Sequence, residues 1–132
     1  MSASFVGLSA TINQTVSDSM LANSVGSGSV AVFATPELIL LLEKTAVAAL
    51  DGKLEPGQTT VGSALDVTHL AATPAGMNVS GFARVTAVDG RKLTFEVSAK
   101  DDLDEIAEGT HTRFIVEAEK FQKRANLKLN NS

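Results

Sequence analysis

The chain has 132 residues, 44% of them apolar, with a formal net charge of −4, two histidines and no cysteine. This size and composition favour one domain with its own hydrophobic core, and they exclude disulfides, thiolate nucleophiles and cysteine- or histidine-rich metal sites. The acidic balance without a basic stripe, the lack of a long apolar run and the lack of a secretory signal predict a cytoplasmic protein that binds neither nucleic acid nor a membrane.

The first part of the chain predicts a strand followed by a polar loop. Residues 5–17 alternate imperfectly and indicate an opening strand. Residues 17–31 are rich in Ser, Gly and Asn, which is typical of a flexible loop. Such a loop is either a plain connector or a lid over a site at the start of the next element.

A long helix at about residues 36–50 is the best-marked element of the sequence. Thr35 is expected to cap it with its hydroxyl, and Pro36 suits the first helical position. Asp51 and Gly52 end it, since glycine readily takes the left-handed conformation. Its interior is apolar almost all the way round, which predicts a buried central helix.

Helical spacing divides this helix into two relevant rows. One row should touch water: Glu37, Leu41, Lys44, Ala48 and Asp51. The other is apolar except for one carboxylate: Pro36, Ile39, Leu40, Glu43, Ala46, Val47 and Leu50. A carboxylate among apolar neighbours needs a partner or must neutralise itself. Glu43 is therefore either a structural ion-pair or groove-edge residue, or a general base or nucleophile.

Residues 59–71 alternate as a strand, and the alternation places one histidine on an apolar face. The expected face holds Val61, Ser63, Leu65, Val67 and His69, with Gly62 on the opposite face. A lone histidine there is usually a satisfied core residue. It becomes a catalytic candidate if this face packs on the helix and His69 meets Glu43.

The remaining chain predicts an antiparallel meander. Strands are expected at 77–88 and 91–99 around the hairpin signal Asp89-Gly90, followed by an acidic turn at 101–105 and a last strand at 106–120. Gly109 within that strand suggests a close backbone approach or a bulge. The order of strand, helix and four strands is α+β, and a second copy would protect an exposed sheet edge.

Several motifs resemble one family of proteins. They are Val32-Phe33-Ala34-Thr35, Glu43, Gly62, the run from Val67 to Pro74, the hairpin from Val88 to Leu93, Asp104-Glu105-Ile106, Gly109-Thr110-His111-Thr112-Arg113 and Glu119-Lys120-Phe121. Over about residues 15–121 the chain resembles the fluoroacetyl-CoA-specific thioesterase-like family of hotdog proteins. The resemblance implies an antiparallel sheet wrapped around the central helix, in one domain over 1–132 with frayed ends at 1–14 and 122–132.

The resemblance also implies an activity and a set of site residues. The expected enzyme is an acyl-CoA thioesterase that hydrolyses a small acyl-CoA to free acid and CoA. The family's catalytic residues fall on Thr35, Glu43 and His69, its acyl-site glycine on Gly62 and its substrate-side arginine on Arg113. No metal and no cofactor are implied beyond coenzyme A as part of the substrate. A homodimer is expected, and tetramers are left open.

One departure concerns the loop before the helix. Fluoroacetyl-specific members carry aromatic residues where this chain has Gly26 and Ser29. The resemblance therefore implies a thioesterase with a different or broader acyl preference, not a fluoroacetyl-specific enzyme. The alternative is a non-catalytic hotdog module that binds acyl-CoA or another ligand. A hotdog hydratase or dehydratase is disfavoured because no matching acid–base pair is present.

Overall fold

The computed structural model describes residues 5–130 as a five-stranded antiparallel sheet and one long helix. The strands are β1 (Ser9–Thr15), β2 (Gln58–His69), β3 (Asn78–Asp89), β4 (Lys92–Asp101) and β5 (Glu105–Glu117). The helices are α1 (Ala22–Val25), α2 (Thr35–Ala49) and α3 (Ala118–Asn126), with short 3₁₀ turns at Asp18–Met20 and Leu127–Asn130. None of the helices in residues 5–130 is both long and apolar enough to cross a membrane.

The sheet curves around α2, as the α+β prediction requires. Its strand order is β1-β3-β4-β5-β2, so β1 and β2 lie at the two edges. Helix α2 packs mainly on β1 and β3, and the core fills the space between them with residues such as Leu38, Leu42 and Phe95, all fully buried. Because β2 has only β5 beside it among the described strands, one long edge of the sheet is unpaired.

The start of α2 differs from the prediction in one respect. Thr35 is the first residue of the helix and Ala34 occupies the capping position, with no side-chain capping bond there. The expected cap by the Thr35 hydroxyl is therefore wrong. That hydroxyl instead hydrogen-bonds His69, because the end of β2 lies beside the start of α2.

The faces of α2 also differ from the predicted rows. Leu41, expected to touch water, is 1% exposed. Its Cγ packs over Gly81, where an added Cβ would lie only 2.9 Å away. Leu40 and Val47, in the row with Glu43, are 41% and 50% exposed. Lys44 and Asp51 of the row expected to touch water are exposed, so the prediction fails at Leu41. A helix that is apolar all round does not reveal which of its leucines face its own sheet.

A β-bulge in β2 changes the predicted alternation. Gly62 pairs with Arg113 and Ala64 pairs with Thr112, which leaves Ser63 as an extra residue. An extra residue shifts the period-two alternation by one position. Gly62 therefore lies on the same face as Leu65, Val67 and His69, and the prediction that it lies on the opposite face is wrong.

Gly109 makes the close backbone approach that its sequence position suggests. A Cβ built there would overlap the carbonyl oxygen of Asp66 and lie 2.7 Å from the Cα of Val67. Backbone atoms of β2 cannot move aside as a flexible side chain can. Gly109 thus fixes how closely β5 and β2 run together.

Replacing Gly109 with alanine should lower the free energy of unfolding by about 1–3 kcal/mol, because the new methyl group overpacks against backbone. Urea denaturation checks this value. Thr110→Ala is the matched control, since Thr110 is exposed on the outer face of the same strand. Equal stability of the Gly109 variant and the wild type would contradict the close approach.

Both ends are more regular than predicted. β1 pairs with β3 along its length, so the expected fraying of 1–14 is wrong for residues 9–14, while residues 1–4 lie outside the described residues. The last strand ends at Glu117 rather than at Lys120. The tail from residue 118 forms α3 and a 3₁₀ turn instead of fraying, and residues 131–132 lie outside the described residues.

Candidate functional site

Thr35 and His69 form a hydrogen-bonded pair, here called the His69 pair. Thr35 Oγ1 lies 2.8 Å from His69 Nδ1. The first turn of α2 presents the hydroxyl, and the last residue of β2 presents the ring. The other ring nitrogen, Nε2, is buried and has no hydrogen-bond partner within residues 5–130. A buried imidazole nitrogen without a partner is available for a substrate or water.

Burial lowers the pKa of His69, and a backbone contact from Ala71 only partly opposes this. Removing an imidazolium from water costs free energy, so the neutral ring is favoured. A neutral histidine at neutral pH can accept a proton and later return it. The pair therefore has the chemistry of an acid–base group.

The His69 pair lines a pocket of about 360 Å³. Its walls are mostly small or apolar: Ala22, Ser27, Val32, Phe33, Leu70, Ala71 and Ala72, besides Thr35 and His69. Ser27 and Val32 of the loop before α2 thus contribute to the pocket at the helix start. The lining carries no formally charged side chain, which suits a neutral, compact ligand group.

A second group of residues, here called the Glu43 cluster, comprises Glu43, Gly62, His111 and Arg113. Glu43 Oε2 lies 3.6 Å from Arg113 Nη1. Arg113 is 6% exposed, whereas the Glu43 side chain keeps 38% of its surface in contact with solvent. A Cβ at Gly62 would lie 3.0 Å from Glu43 Oε2 and 3.2 Å from Arg113 Nη1. Glycine leaves the carboxylate accessible from β2.

The guanidinium of Arg113 is held from several sides. Its Nε donates to Thr60 Oγ1 at 2.9 Å, and its Nη2 donates to the Thr60 carbonyl at 3.1 Å. Nη1 lies 3.1 Å from His111 Nε2. Burial lowers the pKa of Arg113, and the charge of Glu43 opposes this. A buried cation held this firmly gives Glu43 a fixed electrostatic partner.

The two groups do not meet within one chain. No hydrogen bond or ion pair in residues 5–130 joins Glu43 to His69, so the predicted contact between them is wrong for the single chain. Thr35 and Glu43 are separated by two turns of α2, or roughly 12 Å along its axis. Gly62 and His69 are roughly 20 Å apart along β2. One thioester carbonyl cannot touch both groups of the same chain.

One residue of the site, His111, has no role predicted from the sequence. The sequence does contain a pattern that indicates this residue, because strand alternation places His111 and Arg113 on the same face as the buried Ile115. Two polar residues on an otherwise buried face need partners. Within residues 5–130 no cluster of three or more His, Cys, Asp or Glu side chains is arranged to hold a metal ion.

The two histidines predict how stability depends on pH. Burial is the first cause that lowers the pKa of both His69 and His111. In the unfolded chain each ring regains a pKa near 6.5 and binds protons that the folded chain excludes. The contribution of the two neutral histidines to the free energy of unfolding is therefore complete above about pH 6.5, and it is lost as the pH falls below that value.

Urea unfolding at about pH 7.5 and about pH 5.5 should show a smaller free energy of unfolding at the lower pH. His69→Gln should reduce this difference, because one of the two titrating rings is removed. A free energy of unfolding that stays constant or rises between the two pH values would contradict the neutral assignment of both rings.

Comparison with known proteins gives the family. The family model FlK, fluoroacetyl-CoA-specific thioesterase, matches residues 16–119. The fluoroacetyl-CoA thioesterase of Streptantibioticus cattleyicolor is 44% identical over 97 residues, which cover 74% of this chain and 70% of that protein.

Solved structures agree with this match. The crystallised fluoroacetyl-CoA thioesterase FlK, in a variant bound to acetyl-CoA, has a TM-score of 0.88 at 36% identity, over 93% of this chain and 97% of that one. A thioesterase superfamily member from Thermus thermophilus has a TM-score of 0.86 at 25% identity, over 96% of both chains. A hotdog-like protein from Thermanaerovibrio acidaminovorans has a TM-score of 0.84 at 25% identity, over 93% and 91%. The predicted hotdog fold is confirmed.

Proposed function

Because the chain belongs to the fluoroacetyl-CoA-specific thioesterase family, we propose that it hydrolyses a small acyl-CoA thioester to the free acid and CoA. The observation that carries the proposal is the unpartnered Nε2 of His69, which lies beside Thr35 in an uncharged pocket. A relative that crystallises with acetyl-CoA supports a CoA thioester as the substrate.

The proposed active site needs two copies of the chain. The His69 pair and the Glu43 cluster are too far apart along α2 and β2 to act on one carbonyl of the same chain. The free edge of β2 offers a place for a second β2 to pair. Antiparallel pairing about a two-fold axis between Gly62 and His69 would bring Gly62 of one chain opposite His69 of the partner subunit.

Exposed apolar side chains support this assembly. Leu40 and Val47 flank Glu43 on α2, and Leu65 lies on the same face of β2 as Gly62 and His69; each is at least 40% exposed. A second copy would cover this surface and the unpaired strand edge together. We therefore propose a homodimer with two equivalent sites, each built from the Glu43 cluster of one subunit and the His69 pair of the other.

The chemistry divides between the two groups. Water or the Glu43 carboxylate attacks the thioester carbonyl, the carbon–sulfur bond breaks, and the CoA thiolate leaves. His69 Nε2 takes the proton from water and supplies one to the departing sulfur, while Thr35 holds the ring in place. If Glu43 attacks first, the CoA leaves as a thiolate; His69 then takes a proton from the water that hydrolyses the acyl–carboxylate anhydride and passes it to the thiolate. Gly62 gives the acyl group room, and Arg113 orients Glu43 and the substrate.

The proposed acyl preference differs from fluoroacetyl. Gly26 ends α1 with a φ of 84°, a left-handed conformation that an aromatic side chain adopts only with strain. An aromatic residue at this position would strain the loop backbone before α2. Small residues such as Ala22 and Ser27 line the pocket instead, so we propose a broader range of uncharged short or branched acyl groups.

Thiol release from acetyl-, fluoroacetyl-, branched and aromatic acyl-CoAs tests both parts. The expected result is turnover of several small acyl-CoAs without a large advantage for fluoroacetyl-CoA. Fluoroacetyl-CoA hydrolysed far faster than acetyl-CoA would overturn the preference but not the reaction. If acyl-CoAs bound tightly and none were hydrolysed, the protein would instead be a non-catalytic module that binds acyl-CoA.

A further inference from the structure

The proposed reaction makes no use of His111, yet this ring is completely buried with both nitrogens occupied. Nδ1 lies 2.9 Å from the carbonyl oxygen of Ala64, and Nε2 lies 3.1 Å from Arg113 Nη1. A carbonyl can only accept a hydrogen bond, and a guanidinium can only donate. The hydrogen is therefore on Nδ1, and the Nε2 lone pair faces the arginine.

Burial and the charge of Arg113 keep this ring neutral. Burial is the main cause that lowers the pKa of His111, and the positive charge of Arg113 adds to it. The Ala64 carbonyl and the more distant Glu43 carboxylate act in the opposite direction without reversing the shift. A second proton would have to lie on Nε2, directly against the cation.

The ring also connects two features of the site. Ala64 follows the extra residue of the β2 bulge, so the Nδ1 bond fixes the backbone immediately beyond Gly62. The Nε2 bond fixes Nη1, the same nitrogen that faces Glu43 at 3.6 Å. A Cβ at Gly62 would lie 3.2 Å from His111 Cε1, so the ring forms part of the wall around that glycine.

We propose that His111 is a positioning residue, a fixed hydrogen-bond acceptor that sets the Arg113 guanidinium, and through it the Glu43 carboxylate, against the space above Gly62. This inference rests on the proposed role of Glu43 in hydrolysis. His111 itself touches no reacting atom. His111 contributes a third fixed bond to the Arg113 guanidinium. With the two Thr60 bonds alone, the guanidinium would be free to tilt.

The first test needs no substrate. ¹⁵N NMR of the wild-type ring nitrogens should show His111 as the neutral Nδ1–H form, with shifts that do not titrate between about pH 5 and about pH 8. His69→Gln assigns the signals by removing the other histidine. A hydrogen on Nε2, or titration of His111 near pH 6.5, would overturn the proposal even if the enzyme is fully active.

The second test compares two substitutions. His111→Asn keeps a donor for Ala64 but loses the acceptor for Arg113, whereas His111→Gln carries an acceptor near the former Nε2 position. We expect the asparagine variant to lose up to about 10²-fold in kcat, with a smaller change in KM, and the glutamine variant to recover much of the loss. Equal losses with equal falls in Tm would indicate a merely structural residue and overturn the proposal.

A double-mutant cycle with Arg113→Ala separates action through the arginine from an independent effect. If His111 acts through Arg113, adding His111→Asn to Arg113→Ala should cost little further kcat. If the kcat losses of the two single variants multiplied in the double variant, the proposal would be overturned. If the wild type hydrolysed no thioester, the proposed function would fail, and the NMR result would still decide how the His111 ring is held.

Discussion

Replacing His69 with alanine is expected to lower kcat by about 10²–10⁴-fold, because the acid–base group of the proposed reaction is removed. Thr35 would lose its only side-chain partner in the described residues, and the pocket would gain space for water. The fold should persist, since His69 lies at the end of β2 and outside the main hydrophobic core. Thiol release under saturating substrate measures the loss.

Thr68→Ala is the matched control for this substitution. Thr68 precedes His69 on the same strand, points to the opposite face and is exposed. Its kcat should stay close to that of the wild type. In the wild type, kcat/KM should fall on the acid side with a midpoint below pH 6.5, because burial lowers the pKa of His69 and the neutral ring is the active form. Near-normal kcat in His69→Ala would remove this residue from the mechanism.

Glu43→Gln should also lower kcat by about 10²–10⁴-fold, since the neutral amide can neither attack the carbonyl nor replace the carboxylate that orients the attacking water with His69. The nearly equal size of the new side chain keeps the packing around Gly62 and Arg113. Glu37→Gln is the control, because Glu37 lies on the same helix in its first turn, away from the Glu43 cluster. A Glu43→Gln enzyme with wild-type kcat would refute the assignment.

Mixing the two inactive variants tests where the two groups act. In a homodimer with composite sites, half of the dimers formed from equal amounts of Glu43→Gln and His69→Ala chains are mixed, and one site in each carries neither substitution. Refolding the chains together should therefore restore about a quarter of the wild-type activity. No recovery in verified mixed dimers would place Glu43 and His69 of the same chain in one site.

The sequence predicted the elements of the fold well because its local signals agree with its long-range packing. The marked ends of α2, the Asp89-Gly90 hairpin and the close approach at Gly109 each follow from backbone chemistry and appear in the structure. The rows of α2 were harder to assign. Leu41 and Leu40 are chemically alike, and only the packing on β3 determines that the first is buried.

The candidate site could be predicted as a set of residues but not as an arrangement. Glu43 and His69 stand out as polar residues among apolar ones, yet their partners are Arg113 and Thr35. These contacts depend on which strands pair and in what register, which local patterns do not encode. A glycine inside a strand can mark a bulge, as Gly62 does, but it equally marks a close approach, as at Gly109, so strict alternation placed Gly62 on the wrong face.

The bulge at Ser63 determines which insertions and deletions β2 can tolerate. The Ser63 side chain makes only one hydrogen bond, to the Thr112 carbonyl, and takes no part in either site group. Removing this one residue would leave six steps between Gly62 and His69, and strict alternation over six steps would keep both on the same face of the sheet. By contrast, one residue inserted between positions 64 and 69 would turn either Gly62 or His69 to the outer surface while leaving every proposed catalytic side chain intact, so the backbone length of this stretch is a determinant of activity.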